Sequence, residues 1–225
     1  MIYFKINGLI LQKEKRKEND SIVYILTENY GILKCYIRGI FRAQSKNLSL
    51  FEPGNLNRLF ILTNFSKYQI ISALPLKITT KIFNKNPFIF LWVLKIVKNL
   101  KLIETPKFIW FILTHLENYI NQNSKNFPYW FLFHILKELG YEIDFEKCYK
   151  CQRNLKKFAF FYSQKYLVCF YCKQKNQKNY ILIKKEELTI AQKIKNLVKI
   201  PKKIPEFLKK MITKNFSEIF QKINN

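Results

Sequence analysis

Two cysteine pairs, Cys148-x-x-Cys151 and Cys169-x-x-Cys172, stand 17 residues apart, and no other feature restricts the fold so tightly. Each C-x-x-C sequence puts two thiols on one tight turn, and two such turns supply four soft ligands for a tetrahedral Zn²⁺. Four sulfur ligands leave no coordination position open, so zinc held there is structural and not catalytic. Disulfides belong to oxidising compartments, and the N-terminus, Met1-Ile-Tyr-Phe-Lys-Ile6, lacks the charged, apolar and small-residue order of an export signal. A redox pair needs only one C-x-x-C beside a βαβ unit, and no such unit is discernible. Lys147, Lys150, Lys156 and Lys157 are expected to favour the thiolate form.

Charge narrows the partner. The 225 residues carry 40 Lys plus Arg against 15 Asp plus Glu, a formal +25, yet 48% are hydrophobic and 16% aromatic, so the chain can bury cores and is not a disordered basic tail. Only five of the cations are Arg, as an AT-biased coding sequence would produce without any partner. Such a bias does not penalise Glu, which could have balanced the Lys. Uncompensated charge favours association with a polyanion, nucleic acid ahead of a membrane surface. The longest apolar runs, Pro87 to Leu94 and Phe108 to Leu113, fall far short of the ~20 residues that span a bilayer. A cytoplasmic protein is expected.

Glycine and proline divide the chain into modules. Four of the five glycines lie in the first 54 residues, where apolar and polar residues alternate with period two between turns. Tyr3 to Leu11, Ser21 to Thr27, Leu33 to Arg38, Leu56 to Leu62 and Lys67 to Ser72 read as five short strands, a number that suits a small barrel such as the OB-fold. Beyond Pro75 the period becomes helical. Pro87, Pro106 and Pro128 open helices running to about Ile103, Gln122 and Gly140, each apolar on more than one face and so expected in a buried bundle. Glu186 to Lys199 and Ile204 to Ile223 read as two more helices, and Lys173 to Asn179 as a loop. The fold class reads as α+β and multi-module: residues 1–80 a small β-barrel of OB-fold type, 81–147 a helical bundle, 148–178 a four-cysteine zinc-binding segment, and 179–225 C-terminal helices. These four segments carry +7, +3, +8 and +7; the cysteine segment has no acidic residue.

Catalytic machinery is not apparent. There is no P-loop, G-x-S-x-G or G-x-G-x-x-G, Cys35 falls on an apolar strand face, and His115 and His134 read as helix residues with local hydrogen bonds. What remains is a basic surface on the barrel. Lys34, Tyr36 and Arg38 share the outward face of the third strand and are continued by Phe41, Arg42 and Lys46 in the following loop. Cations for phosphates and aromatic planes for bases are what single-strand binding requires. Tyr36 has the alternative of packing beneath the first helices, and period two alone does not choose.

The order of several short motifs resembles the bacterial recombination mediator family RecO. Glu18-Asn19-Asp20, Thr27-Glu28-Asn29-Tyr30-Gly31, Arg38-Gly39 with Arg42 and Ser45, and Phe51-Glu52-Pro53-Gly54 come first; Phe131 to Leu136 with Glu138-Leu139-Gly140-Tyr141 then leads into Cys148-x-x-Cys151. The resemblance covers most of residues 1–175. Family members often carry glycine after the second cysteine and before the third, where this chain has Gln152 and Tyr166-Leu167-Val168.

The resemblance implies an N-terminal OB-fold, a helical C-terminal domain with an inserted zinc element, and no covalent catalysis. It further implies binding of single- and double-stranded DNA, annealing of complementary strands, and engagement of the C-terminal tail of single-strand binding protein. RecR is the implied partner in loading RecA at gaps, with RecF and RecA reached indirectly. A zinc-ribbon RNA-binding or ribosome-associated protein is the alternative that shares the charge and the metal but not the motifs. A nuclease is a third reading, with no recognisable site.

Overall fold

The computed structural model describes residues 2–42, 48–64, 67–79, 86–141, 144–155, 158–162, 166–173, 180–195 and 200–224. The chain forms two compact units, Met1–Ile120 and Asn121–Asn225, so the boundary falls inside the helical segment 81–147.

In the first unit five strands, β1 (Ile2–Arg16), β2 (Asp20–Thr27), β3 (Ile32–Ile37), β4 (Leu56–Thr63) and β5 (Tyr68–Lys77), close into a barrel in the order β1-β2-β3-β5-β4. All pairings are antiparallel except β3 with β5, where Cys35 meets Tyr68 and Tyr36 meets Gln69. That is the strand order of an OB-fold, closed so that no sheet edge is left open to aggregation. Alternation decides what fills it: Asn57, Leu59, Ile61 and Thr63 of β4 are buried while their neighbours are half-buried. Ile10, Val23, Ile25, Cys35, Phe51, Leu59 and Ile61 form the centre of the core, each large aliphatic contributing about 1.5–3 kcal/mol by its burial. Burial also pushes the Cys35 thiol up to about 12, in keeping with a core residue.

β1 and β5 run further than expected. Lys13 to Arg16 look too polar for a half-buried strand, but they pair with Ser21 to Val23 and Asp20 of β2 after a register shift between Ile10 and Gln12. This bulge lets one strand serve two neighbours. β5 continues through Pro75, which pairs with Asn57 beside a register shift between Leu56 and Asn57, the kind of irregularity at which a strand admits proline.

Among the described residues three helices follow: α1 (Pro87–Asn99), α2 (Lys107–Thr114) and α3 (Leu116–Gln122). α1 ends before Ile103 because the barrel captures the chain beyond it: Ile32 N–H donates to Leu102 O at 2.9 Å and Thr105 Oγ1 donates to Thr27 O at 2.6 Å. Lys101 turns into the left-handed region at φ 50°. The single helix expected from Pro106 to Gln122 breaks at His115, where Thr114 Oγ1 bonds the carbonyls of Trp110 and Phe111 at 2.9 and 3.0 Å and His115 Nδ1 takes Phe111 O at 2.9 Å. Side chains competing for helix carbonyls weaken the ladder at that turn.

Gly54, at φ 90°, sits against the α1 ring of Phe90; a Cβ there would lie 2.1 Å from Phe90 Cζ. Gly54→Ala is therefore expected to cost about 2–4 kcal/mol, from the forced left-handed backbone and the overlap together, read from the urea midpoint. Adding Phe90→Leu should return part of it. A Gly54→Ala chain as stable as the parent would refute this account of the junction.

The second unit contains α4 (Phe127–Glu138), a three-stranded sheet in the order β7-β6-β8, α5 (Lys185–Lys195) and α6 (Glu206–Asn224). α4 buries Phe127, Trp130, Phe131, Phe133 and His134, and Asn126 ties its start to the carbonyls of Pro201 and Lys202 at 3.1 and 2.9 Å. The strands β6 (Phe158–Tyr162), β7 (Tyr166–Val168) and β8 (Tyr180–Lys184) were not expected from the sequence. Three to five residues are too few for period two to declare itself. Residues 174–179 of the expected loop and 196–199 of the expected helix lie outside the described residues.

Candidate nucleic-acid groove and metal centre

The barrel's basic surface is a groove of about 680 Å³ that runs across β3 between the β1–β2 turn and the β4–β5 connection. Arg16 ends β1 and Lys17 opens the turn, Lys34, Tyr36 and Arg38 come from β3 and its exit, and Lys67 precedes Tyr68, the first residue of β5. Among the described residues that line the groove, none is a carboxylate. On an OB-fold this is the face, with its flanking first and fourth connections, on which oligonucleotides lie.

Tyr36 is positioned by two of the motifs singled out above. The Asp20 carboxylate accepts the Tyr36 hydroxyl and, at 2.9 Å, the Gly39 N–H, so Glu18-Asn19-Asp20 and Arg38-Gly39 meet. Phe41 N–H adds a bond to Asn19 O at 3.1 Å. The Tyr36 and Gly39 donors, with Lys17 and Arg38 nearby, hold the Asp20 carboxyl below the usual carboxylate range, while the bond to Asp20 raises the Tyr36 phenol. The ring is half-buried and lines the groove.

The remaining sequence candidates fall elsewhere. Phe41 packs half-buried against the barrel core with the ammonium groups of Lys13 and Lys15 over its ring, 5.8 and 5.7 Å from the centroid. Arg42 is exposed, folds over Gly39 and is not part of the groove lining. Lys46 and Ser45 lie outside the described residues. Arg16, Lys17, Lys67 and Tyr68 were missed. Their signal was faint, because only the parallel β3–β5 pairing, Cys35 with Tyr68, brings Lys67 beside Lys34.

In the second unit the Sγ atoms of Cys148, Cys151, Cys169 and Cys172 all lie within 4.8 Å of one another. Cys151 and Cys169 are 3.7 Å apart, close to the ~3.8 Å edge of a tetrahedron with sulfurs about 2.3 Å from its centre and too long for a disulfide. All four are free thiols. The first turn is closed by Gln152 N–H to Cys148 O and Cys148 N–H to Arg153 O, both 2.9 Å; the second is a short 3₁₀ turn, Phe170–Cys172.

Gln152 takes φ 58°, at a cost of roughly 1–2 kcal/mol for an L-residue. Burial opposes charge on Cys148, but N–H groups of Cys169, Cys151 and Lys150 outweigh it and carry the thiol down to about 6. Hydrogen bonding from Cys151, then burial, pushes Cys172 up to about 12. Backbone donors thus favour the Cys148 thiolate; of the lysines expected to do so, Lys156 and Lys157 lie outside the described residues. Four clustered thiols of this kind can hold a metal ion.

His115 is exposed just past the end of α2 with its ring tilted against Phe111, and His134 is buried beside Trp130. Neither joins the metal cluster. Among the described residues no helix is long and apolar enough to cross a membrane.

A closed five-stranded barrel with a basic groove in one unit, and in the other a helical array bearing four clustered cysteines that could hold a metal ion, define an α+β protein of OB-fold type. Two family models match, "Recombination protein O N terminal" over residues 1–76 and "Recombination protein O C terminal" over residues 107–198. The chain belongs to the RecO family of DNA repair proteins.

Three proteins named DNA repair protein RecO illustrate the similarity. That of Mesoplasma florum is 28% identical over 199 residues, 78% of this chain and 69% of its own length. That of Thermodesulfovibrio yellowstonii is 23% identical over 177 residues, 76% of this chain and 70% of its own. That of Rickettsia bellii is 29% identical over 153 residues, covering 63% and 60%. The family favours DNA repair over the RNA-binding alternative.

Proposed function

We propose that this chain is a non-enzymatic mediator that binds single- and double-stranded DNA along the barrel groove, anneals complementary strands and, with RecR, helps to load RecA at gaps. The observation that carries the reading is the groove itself: five cations and two tyrosines on the oligonucleotide-binding face of an OB-fold, with no acid among the described residues that line it. Complementary strands repel each other, and a surface that neutralises both lowers that barrier. Nothing in this task requires a bond to be made or broken.

The cysteine cluster is assigned to structural Zn²⁺, since four thiolates at tetrahedral spacing suit that ion and leave no position for substrate. Bound there, the metal would brace the second unit; it would supply no chemistry to the DNA. The working place is the cytoplasm, with the DNA. Partners are those the family implies: RecR, the C-terminal tail of single-strand binding protein, and RecF and RecA indirectly.

Annealing of complementary oligonucleotides, with each strand precoated by single-strand binding protein, tests substrate and partner together. The chain is expected to accelerate annealing at least tenfold on intact binding protein and to lose most of that gain when the binding protein lacks its terminal residues. Equal rates with and without the chain would refute the proposal.

A further inference from the structure

The cysteine turns carry more than sulfur. In the first, Tyr149 and Lys150 separate the two cysteines; in the second, Phe170 and Tyr171 do. Tyr149, Phe170 and Tyr171 are 56%, 59% and 82% exposed, although a metal turn has no need of large aromatic rings in solvent. Tyr149 stacks on Tyr166 of β7 with ring centroids 3.9 Å apart, and Phe170 meets Tyr171 edge-on at 6.0 Å. Because the four sulfurs lie within 4.8 Å of one another, the two turns are held together, and their aromatic positions with them.

The surrounding charge has one sign. From Lys147 to Lys185 the sequence contains no Asp or Glu. Arg153 lies over the Tyr171 ring at 5.9 Å and Lys173 over Phe160 at 4.4 Å. Exposed aromatic planes interleaved with cations match bases strung on phosphates, whereas an acidic peptide would satisfy the charges and leave the planes unused.

We propose that the two cysteine turns form a second single-stranded DNA site, in which Tyr149, Phe170 and Tyr171 stack bases while Lys150, Arg153 and Lys173 meet phosphates. DNA as the ligand rests on the repair reading above; the site itself rests on a different unit and different residues. Two sites in one chain give it a place for each of two strands.

The test uses the full chain, a fluorescent oligothymidylate and an abasic deoxyribose-phosphate strand of equal length and charge. Phe170→Leu with Tyr171→Leu keeps apolar bulk and removes the planes. Affinity for oligothymidylate is expected to fall at least about fivefold, the lower end of the worth of a single stacked base, while affinity for the abasic strand holds and Tyr171→Trp binds like the parent. The same loss should appear when Lys34, Arg38 and Lys67 have already been changed to Gln, which separates failure of the barrel groove from failure of this site. Photocrosslinking of the unaltered chain to a 5-iodouracil strand should place adducts within residues 149–173. Unchanged oligothymidylate affinity, equal losses for the two strands, or crosslinks confined to the barrel would each overturn the proposal.

Discussion

Changing Cys148 and Cys151 to Ser together is expected to release zinc and to unfold the cysteine segment with the small sheet built on it. The expected effect is the largest in the molecule. Structural zinc contributes roughly 10–16 kcal/mol of apparent folding energy in small zinc domains, and β6, β7 and β8 have only five, three and five residues with which to offset its loss. Calorimetry should show the transition of the second unit broadened or lost while that of residues 1–120 moves by only a few degrees, and elemental analysis should fall from one zinc per chain to none. A full complement of zinc in the double variant would refute the assignment. A chelator should reproduce the loss in the unaltered chain.

Neutralising Lys34, Arg38 and Lys67 with Gln is expected to produce the second-largest effect, on binding rather than folding. All three line the groove, and each phosphate contact to a single strand contributes about 0.7 to the slope of log affinity against log salt. Losing three should flatten that slope by about 2 and weaken single-strand affinity at low salt roughly a hundredfold. Thermal stability should hardly change, because Lys34, Arg38 and Lys67 are exposed and exposed charges contribute about a kcal/mol at most. Arg42→Gln, outside the groove, should alter the slope far less. An unchanged slope with a lowered melting temperature would make the three residues structural and sink the groove as a DNA site.

Where sequence reading succeeded, a short-range physical signal was present. β3 shows it: Leu33, Cys35 and Ile37 are buried, Lys34 and Arg38 exposed, Tyr36 half-buried, as period two requires of a half-covered strand. The cysteine spacing is another such signal, since a C-x-x-C turn brings its two sulfurs together within four residues. Where reading failed, the deciding partner was distant in sequence. Leu102 leaves the helix because Ile32 needs an acceptor, and polar Lys13 to Arg16 become strand because β2 lies beside them. The composition of the groove belongs to this second group: Lys67 reaches Lys34 only when β5 closes against β3.

The order of residues by itself determined the barrel's strands, which side of each faces the core, the four metal-seeking thiols and the excess of positive charge, because alternation, turn chemistry and ligand spacing act over a few positions. Only the tertiary structure decided which cations share a groove, which tyrosine lines it and which motif is there to hold that tyrosine. Closing a barrel and gathering two cysteine turns join residues tens of positions apart, and no local pattern records the choice of partner.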